Sequence, residues 1–228
     1  MSYSTKDRRT ANRLKKQLEH LSGISVFVAP SDIKASREGW RKTIIKSVRE
    51  SEVFLPLLTK NFRKSEWTDQ ETGIAVAQGK LIIPLRVGTT KPHGFLESYP
   101  YQKISPRSLE KKLPDILTQV KDDKKLREKL QWSFISCFND SNGFPEANER
   151  SELLEELGPY DAKKANALFE GYLKNVNIHH GFTASDRIVG LLIKNRRFIK
   201  PSLVQQAREI PESERAEYLG LRRLLSAF

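Results

Sequence analysis

The stretch "EVFLPLLTKNFRKSEWTDQETGIAVAQGKLIIPLRV", Glu52 to Val87, decides the fold. "EVFLPLLT" is a continuous apolar run, too short for a helix of ordinary length and without polar alternation, which predicts a strand buried on both faces. From Ser65, Trp67, Ile74 and Ala75 mark a helix that Gly79 can end. "KLIIPLRV" then repeats the buried-strand pattern. A strand, a helix and a second buried strand form a crossover unit, so the sheet is expected to be parallel with helices on its faces.

The same alternation extends both ways. Upstream, Thr5 to Ser22 reads as a helix with Ala11, Leu14, Leu18 and Leu21 on one face, Ser4 and Asp7 at capping-box spacing and Gly23 at its end. "GISVFVAP" reads as a buried strand, "SDIKASREGW" as a polar loop, and Trp40, Ile44 and Val48 as a second helix. Downstream, "YQKI" reads as an edge strand before a helix from Ser105 to Val120. The charge run "KDDKK" at Lys121–Lys125 marks a boundary. Beyond it only helical periodicity remains, broken by Gly158-Pro159, Gly181, Pro201 and Pro211. The expected division is therefore 1–122, an α/β domain, and 123–228, a small all-helical domain.

Bulk properties narrow the function classes. The 228 residues are 38% hydrophobic, with a mean hydropathy of −0.55, as suits a globular protein. No apolar run has the length of a bilayer span, so no membrane partner is expected. One cysteine, Cys137, excludes an internal disulfide and a Cys-based zinc site, which points to a reducing cytoplasm. In its apolar "FISCF" setting it reads as a buried, inert thiol. The adjacent His179 and His180 point in different directions, and no cluster completes a ligand set around them, so no metal site is expected. The net charge of +12 is spread over several helices, with no aromatic-interleaved basic stripe, which argues against nucleic acid as the partner.

The ordered blocks "SYSTKD", "GISVFVAPSDI…GW", "VFLPLLTKNFRKSEWTDQE" and "GKLIIPLRVG" strongly resemble the Toll/interleukin-1 receptor (TIR) domain, especially its bacterial and archaeal NAD-cleaving branch, over roughly residues 2–120. The resemblance implies a flavodoxin-like parallel sheet. It also implies NAD⁺ as substrate, no separate cofactor, self-association through TIR domains, and a place in prokaryotic antiphage defence or signalling beside a defence-system effector protein. The catalytic glutamate of that branch corresponds to Glu71, four residues after Trp67 and so on the same helical face. Trp67, Ser4, Asp7, Arg37 and Trp40 become the expected substrate-binding residues. For Ser4 and Asp7 helix capping is an equal alternative, and for Trp67 core packing is. Lys34, Arg37, Arg41 and Lys42 lie in or beside the loop that in the family contributes to assembly, where they meet the diphosphate, a neighbouring protomer or only solvent.

The family has a hydrophobic strand immediately before its "SYS", whereas here Met1-Ser2 precedes it. The central strand is thus expected to be missing or truncated at Met1, with an upstream extension or another segment supplying it. Two other readings compete: a non-catalytic TIR adaptor, and a relative of the nucleoside deoxyribosyltransferases.

Overall fold

The computed structural model describes residues 1–29, 37–105 and 109–228, with the side chains of Arg37, Glu38, Trp40 and 109–111 outside that description. The described residues form two compact units. One comprises Met1–Glu19 and Ser25–Arg127, the other His20–Ile24 and Glu128–Phe228.

In the first unit a 3-10 turn at Thr5–Asp7 leads into α1 (Arg8–Ser22), followed by α2 (Arg37–Glu50). The strands are β1 (Val53–Phe54), β2 (Leu57–Leu58), β3 (Leu81–Ile82), β4 (Leu85–Val87) and β5 (Gln102–Ile104). Helix α3 (Glu66–Ala77) joins β2 to β3, and α4 (Leu109–Asp122) follows β5. All pairings are parallel: β1 with β3, β2 with β4, and β4 with β5. Each of the two long apolar runs becomes two short strands because a proline, Pro56 or Pro84, cannot donate to the ladder. The sheet nonetheless continues across both breaks: Leu85 N–H donates to Pro56 O at 2.8 Å and Gln102 N–H to Pro84 O at 2.9 Å.

Residues 54–59 are buried without interruption, as expected of a strand covered on both faces. Phe54, Leu58 and Ile82 join Ile44 and Val48 of α2, Ala75 of α3, Phe62 and Leu96 in one core. Leu55, Leu57, Ile83 and Leu85, equally buried, project to the opposite face by strand alternation. Fully burying each such aliphatic side chain contributes about 1.5–3 kcal/mol, so this paired core is the main stabiliser of the unit.

Two local expectations change. Ser4 and Asp7 make no capping box, since the Ser4 side chain caps nothing. "GISVFVAP" is not a strand over its described part, residues 23–29. A strand needs a neighbour along its whole length, and among the described residues this segment is met by side chains and the chain's amino group rather than by a paired strand. The Met1 amino group donates to Phe27 O at 2.8 Å and the Tyr3 hydroxyl to Ala29 O at 2.7 Å, while Val26 N–H turns to the Glu19 carboxylate. Ser2 does occupy a place in the sheet. Its N–H donates to Leu55 O and its carbonyl accepts from Leu57 N–H, a parallel bridge opposite Pro56.

The second unit contains α5 (Arg127–Asn139), α6 (Phe144–Ser151), α7 (Leu154–Leu157), α8 (Ala162–Lys174), α9 (Val176–His179), α10 (Phe182–Lys194), α11 (Pro201–Glu209) and α12 (Leu221–Leu225). Phe134, Phe138, Phe169, Tyr172 and Leu192 are fully buried in it. Gly23 ends α1 with φ +66°, and a Cβ there would lie 3.0 Å from both Cys137 Cβ and Ser133 O. Conformation and space both require glycine. Cys137 is half-buried rather than fully so, its thiol directed at His20 O at 3.4 Å and its pKa raised by burial. His179 and His180 touch each other edge to face at 5.0 Å, and His179 stacks on Tyr218 at 4.0 Å.

Candidate functional site

The site forms at the carboxyl end of the parallel strands, where α/β sheets bind ligands. The segment after β2 turns through a 3-10 helix at Phe62–Lys64 and enters α3 at Ser65. Ser65 provides no side-chain cap. The first turn is held instead by Thr68, whose hydroxyl donates to Phe62 O at 2.9 Å and Ser65 O at 2.7 Å. Thr72 repeats this one turn later, donating to Thr68 O at 2.7 Å. Thr68, Thr72 and Ala75 are therefore the buried stripe of α3. Glu71 stands at the edge of that stripe, neither in the core nor on the open surface.

Burial pushes the Glu71 carboxyl above the usual carboxylate range, and the Ser2 hydroxyl and the Met1 ammonium pull it partly back. Ser2 is 2% exposed, and its hydroxyl completes no hydrogen bond of ordinary geometry, although it is close enough to influence Glu71. Tyr3 belongs to the same environment. Burial raises its phenol, Arg8 opposes that rise, and Glu71 adds to it. A carboxylate withdrawn from water, with a buried hydroxyl and the Met1 ammonium beside it, has the perturbed environment expected of a functional site.

Trp67 lies one turn before Glu71 on α3. It is 36% exposed, so core packing does not explain it. The Arg41 guanidinium of α2 sits 5.6 Å from its ring centroid, a cation–π contact that joins the two helices. Ser4 is buried, and its carbonyl accepts from Asp7 N–H at 2.7 Å. Asp7 is fully committed within the protein: one oxygen accepts from Thr59 Oγ1 at 2.5 Å and the other from Asn61 Nδ2 at 2.9 Å. Thr59 Oγ1 in turn accepts from Phe62 N–H at 3.0 Å. Asp7 thus ties the first turn to the loop that leads into α3.

Lys34 lies outside the described residues, as do the side chains of Arg37 and Trp40, although α2 carries the backbone of the latter two. Arg41 and Lys42 are exposed. Asp69 faces away from Glu71 and bonds His93 Nε2 at 2.9 Å, while the His93 ring meets Phe62 edge-on.

A family model for the TIR domain matches residues 1–117. The chain belongs to the TIR domain family. No curated protein and no solved structure matches it. The match ends inside α4, so Glu128–Phe228, the bulk of the helical unit, lies beyond it. Among the described residues of this TIR protein, no helix is long and apolar enough to cross a membrane.

Ser2 and Tyr3 are the site residues that sequence reasoning did not single out. Both lie in the "SYSTKD" block, but the placement of Ser2 depends on pairing with Leu55 and Leu57, more than fifty positions away. No local pattern encodes that distance.

Proposed function

We propose that this TIR protein cleaves NAD⁺ between nicotinamide and ribose, with Glu71 as the catalytic residue. The observation that carries the reading is the Glu71 carboxyl, drawn out of water and raised by burial one turn after Trp67 on α3. The nicotinamide of NAD⁺ is a cationic leaving group and departs without a general acid. The protein has to stabilise an oxocarbenium-like ribose and orient its hydroxyls. A fixed carboxylate does both, by charge and by accepting hydrogen bonds.

Trp67 offers an aromatic wall one turn from Glu71, and Arg41 over its ring supplies a cation for the diphosphate or for a neighbouring protomer. Arg37 and Trp40, on the same helix as Arg41, complete the proposed binding set, with NAD⁺ as substrate and no separate cofactor. Asp7 acts here by holding the loop before α3, because both its oxygens are occupied. Self-association through TIR domains belongs to the same proposal, as does a role in antiphage defence or signalling.

Incubation of the purified protein with NAD⁺ and mass spectrometry of the products tests the reading. Loss of NAD⁺ with release of nicotinamide is expected, and the co-product distinguishes linear ADP-ribose, a cyclic isomer or a conjugate. Intact NAD⁺ over a wide range of protein concentration would favour the adaptor reading. Turnover of deoxynucleosides instead would favour the transferase reading.

A further inference from the structure

We infer that the end of the helical unit where α6, α9 and α10 begin is a dimerisation face, which pairs with the same face of a second copy across a two-fold axis. Each of these helices starts on an apolar residue left in water. Phe144 is 45%, Val176 49% and Phe182 81% exposed. One such side chain on a surface is ordinary, but several gathered at one place mark an interaction site.

Packing gathers them. Helices α6 and α10 run parallel, because Asn148 Oδ1 accepts from Ala184 N–H at 2.9 Å and, about one turn further along both, Arg187 donates to the Ser151 hydroxyl at 3.2 Å. Phe144 stands one turn before Asn148 on the same face of α6, and Phe182 stands two residues before Ala184, so both lie at the same end of the pair. Asn177, next to Val176, donates to Ser141 O at 3.0 Å, three residues before Phe144. Gly181 keeps the three starts close: a Cβ there would lie 2.7 Å from Asn177 O and 3.4 Å from Asn148 Oδ1.

Charge names the occupant. The chain carries +12, so two copies repel, and contact between them is cheapest where neither presents a cation. The exposed residues at this end, Asn142, Phe144, Pro145, Val176, Phe182 and Thr183, are all uncharged. The nearest charges along the chain are paired within the unit: Glu146 with Arg150 at 2.5 Å, Lys174 with Glu170 at 3.7 Å and Asp186 with Arg223 at 2.8 Å. Such a face meets its own copy without opposing like charges, as the pairing of one patch with itself requires. A strongly charged partner finds no counter-charge here, and a membrane-surface helix would carry Lys or Arg beside its apolar residues. Covered aromatic rings bury about 150–250 Å² each, which puts the contact at the small, reversible end of specific interfaces. The face lies outside the residues that match the TIR family and does not depend on the NAD⁺ reading.

Sedimentation equilibrium of the full chain tests this, with a monomer–dimer transition expected at roughly tens of micromolar. Phe182→Ser should weaken dimerisation at least about tenfold, since a substitution at a two-fold face counts twice. The side chain is already in water, so the melting temperature of the dilute variant should match the parent's. Phe182→Leu, which keeps apolar bulk, should weaken it by less than about threefold. Phe95→Ser removes a comparably exposed phenylalanine, 64% exposed, from the TIR unit, and should leave the dimer unchanged. Raising salt from about 50 to about 500 mM should strengthen the dimer, because it screens repulsion between two cationic copies. The proposal is overturned if the chain stays monomeric throughout, if Phe182→Ser dimerises like the parent, or if Phe95→Ser weakens the dimer as much. It is also overturned if salt dissociates the dimer, which would mean a contact between opposite charges, or if phosphatidylcholine vesicles capture the parent but not Phe182→Ser.

Discussion

Arg150 of the helical unit and Glu71 of the TIR unit are both charged side chains withdrawn from water, and they are treated in opposite ways. Arg150 is 6% exposed and almost saturated. Its guanidinium donates to His20 O at 3.1 and 2.9 Å, Cys137 O at 2.5 Å, the Ser141 hydroxyl at 3.2 Å and the Glu146 carboxylate at 2.5 Å. Glu71 has a pKa raised by burial, which the Ser2 hydroxyl and the Met1 ammonium offset only in part. A saturated buried charge is a structural fastener, since its desolvation is offset on the spot. An unsaturated one leaves a cost that a ligand can remove. The comparison therefore separates a residue that holds the fold from one proposed to do chemistry, although both are polar and withdrawn.

The sharpest way to break the comparison is Glu71→Gln. Losing a preorganised contact to developing charge costs about 10²–10³ in rate, so this nearly isosteric change should remove most NAD⁺ cleavage while the protein stays folded. Asp69→Asn is the internal control, because Asp69 points to His93 on another side of the helix and the amide keeps a hydrogen-bonding oxygen. It should retain most of the activity. A Glu71→Gln protein that turns over NAD⁺ at the parent rate removes Glu71 from the chemistry.

Arg150→Met is the converse. It strands Glu146 and several carbonyls in a poorly solvated place, which should cost about 2–4 kcal/mol, seen as a lower denaturant midpoint. NAD⁺ cleavage per folded molecule should change little. If stability is unaltered, the saturated network is not a fastener and half of the comparison fails.

Asp7→Ala tests a carboxylate of intermediate kind. It lies near the candidate site, yet each of its oxygens accepts a hydrogen bond, and losing these two bonds should cost about 1–3 kcal/mol. Because the tie runs to the loop before α3, activity should fall modestly through misplacement of Glu71. Asp7→Asn, which retains one acceptor, should recover part of both losses. A loss of activity as complete as that of Glu71→Gln, in a fully stable protein, would move Asp7 into the substrate's contacts.

These residues also mark how far the sequence reaches. The parallel α/β core was legible because burial writes itself locally: the runs around Phe54–Leu58 and Ile82–Leu85, and the four-residue spacing in α2, are properties of single elements. The withdrawn place of Glu71 on α3, one turn after Trp67, agrees with its four-residue spacing, while its catalytic role rests on family resemblance and stays a proposal. The tie made by Asp7 was not legible, because the spacing of Ser4 and Asp7 fits a cap, while the true partners lie 52 and 54 positions away. The same distance problem hid Ser2, and it removed the strand expected at "GISVFVAP", whose pairing depends on what lies beside it.

The smallest expected effect concerns pH and returns to Glu71. Its folded pKa is raised above the ordinary value of 4.5, chiefly by burial. A carboxyl of this kind favours the folded state when protonated, so its stabilising contribution is complete below the unfolded pKa and is lost as pH rises through the folded value. Glu71→Gln imitates the protonated form at every pH. The variant should therefore melt slightly above the parent at neutral pH, and the two should converge once the pH falls below about 4.5. Activity runs the other way, since the ionised carboxylate stabilises the cationic ribose. NAD⁺ cleavage by the parent should fall on the acid limb with an apparent pKa above that of an ordinary glutamate. Opposed slopes, with stability gained where activity is lost, are what an unsaturated catalytic carboxylate requires. A Glu71→Gln protein that is less stable than its parent at neutral pH would mean that the charge is satisfied in the fold, as at Arg150, and the distinction between the two residues would disappear.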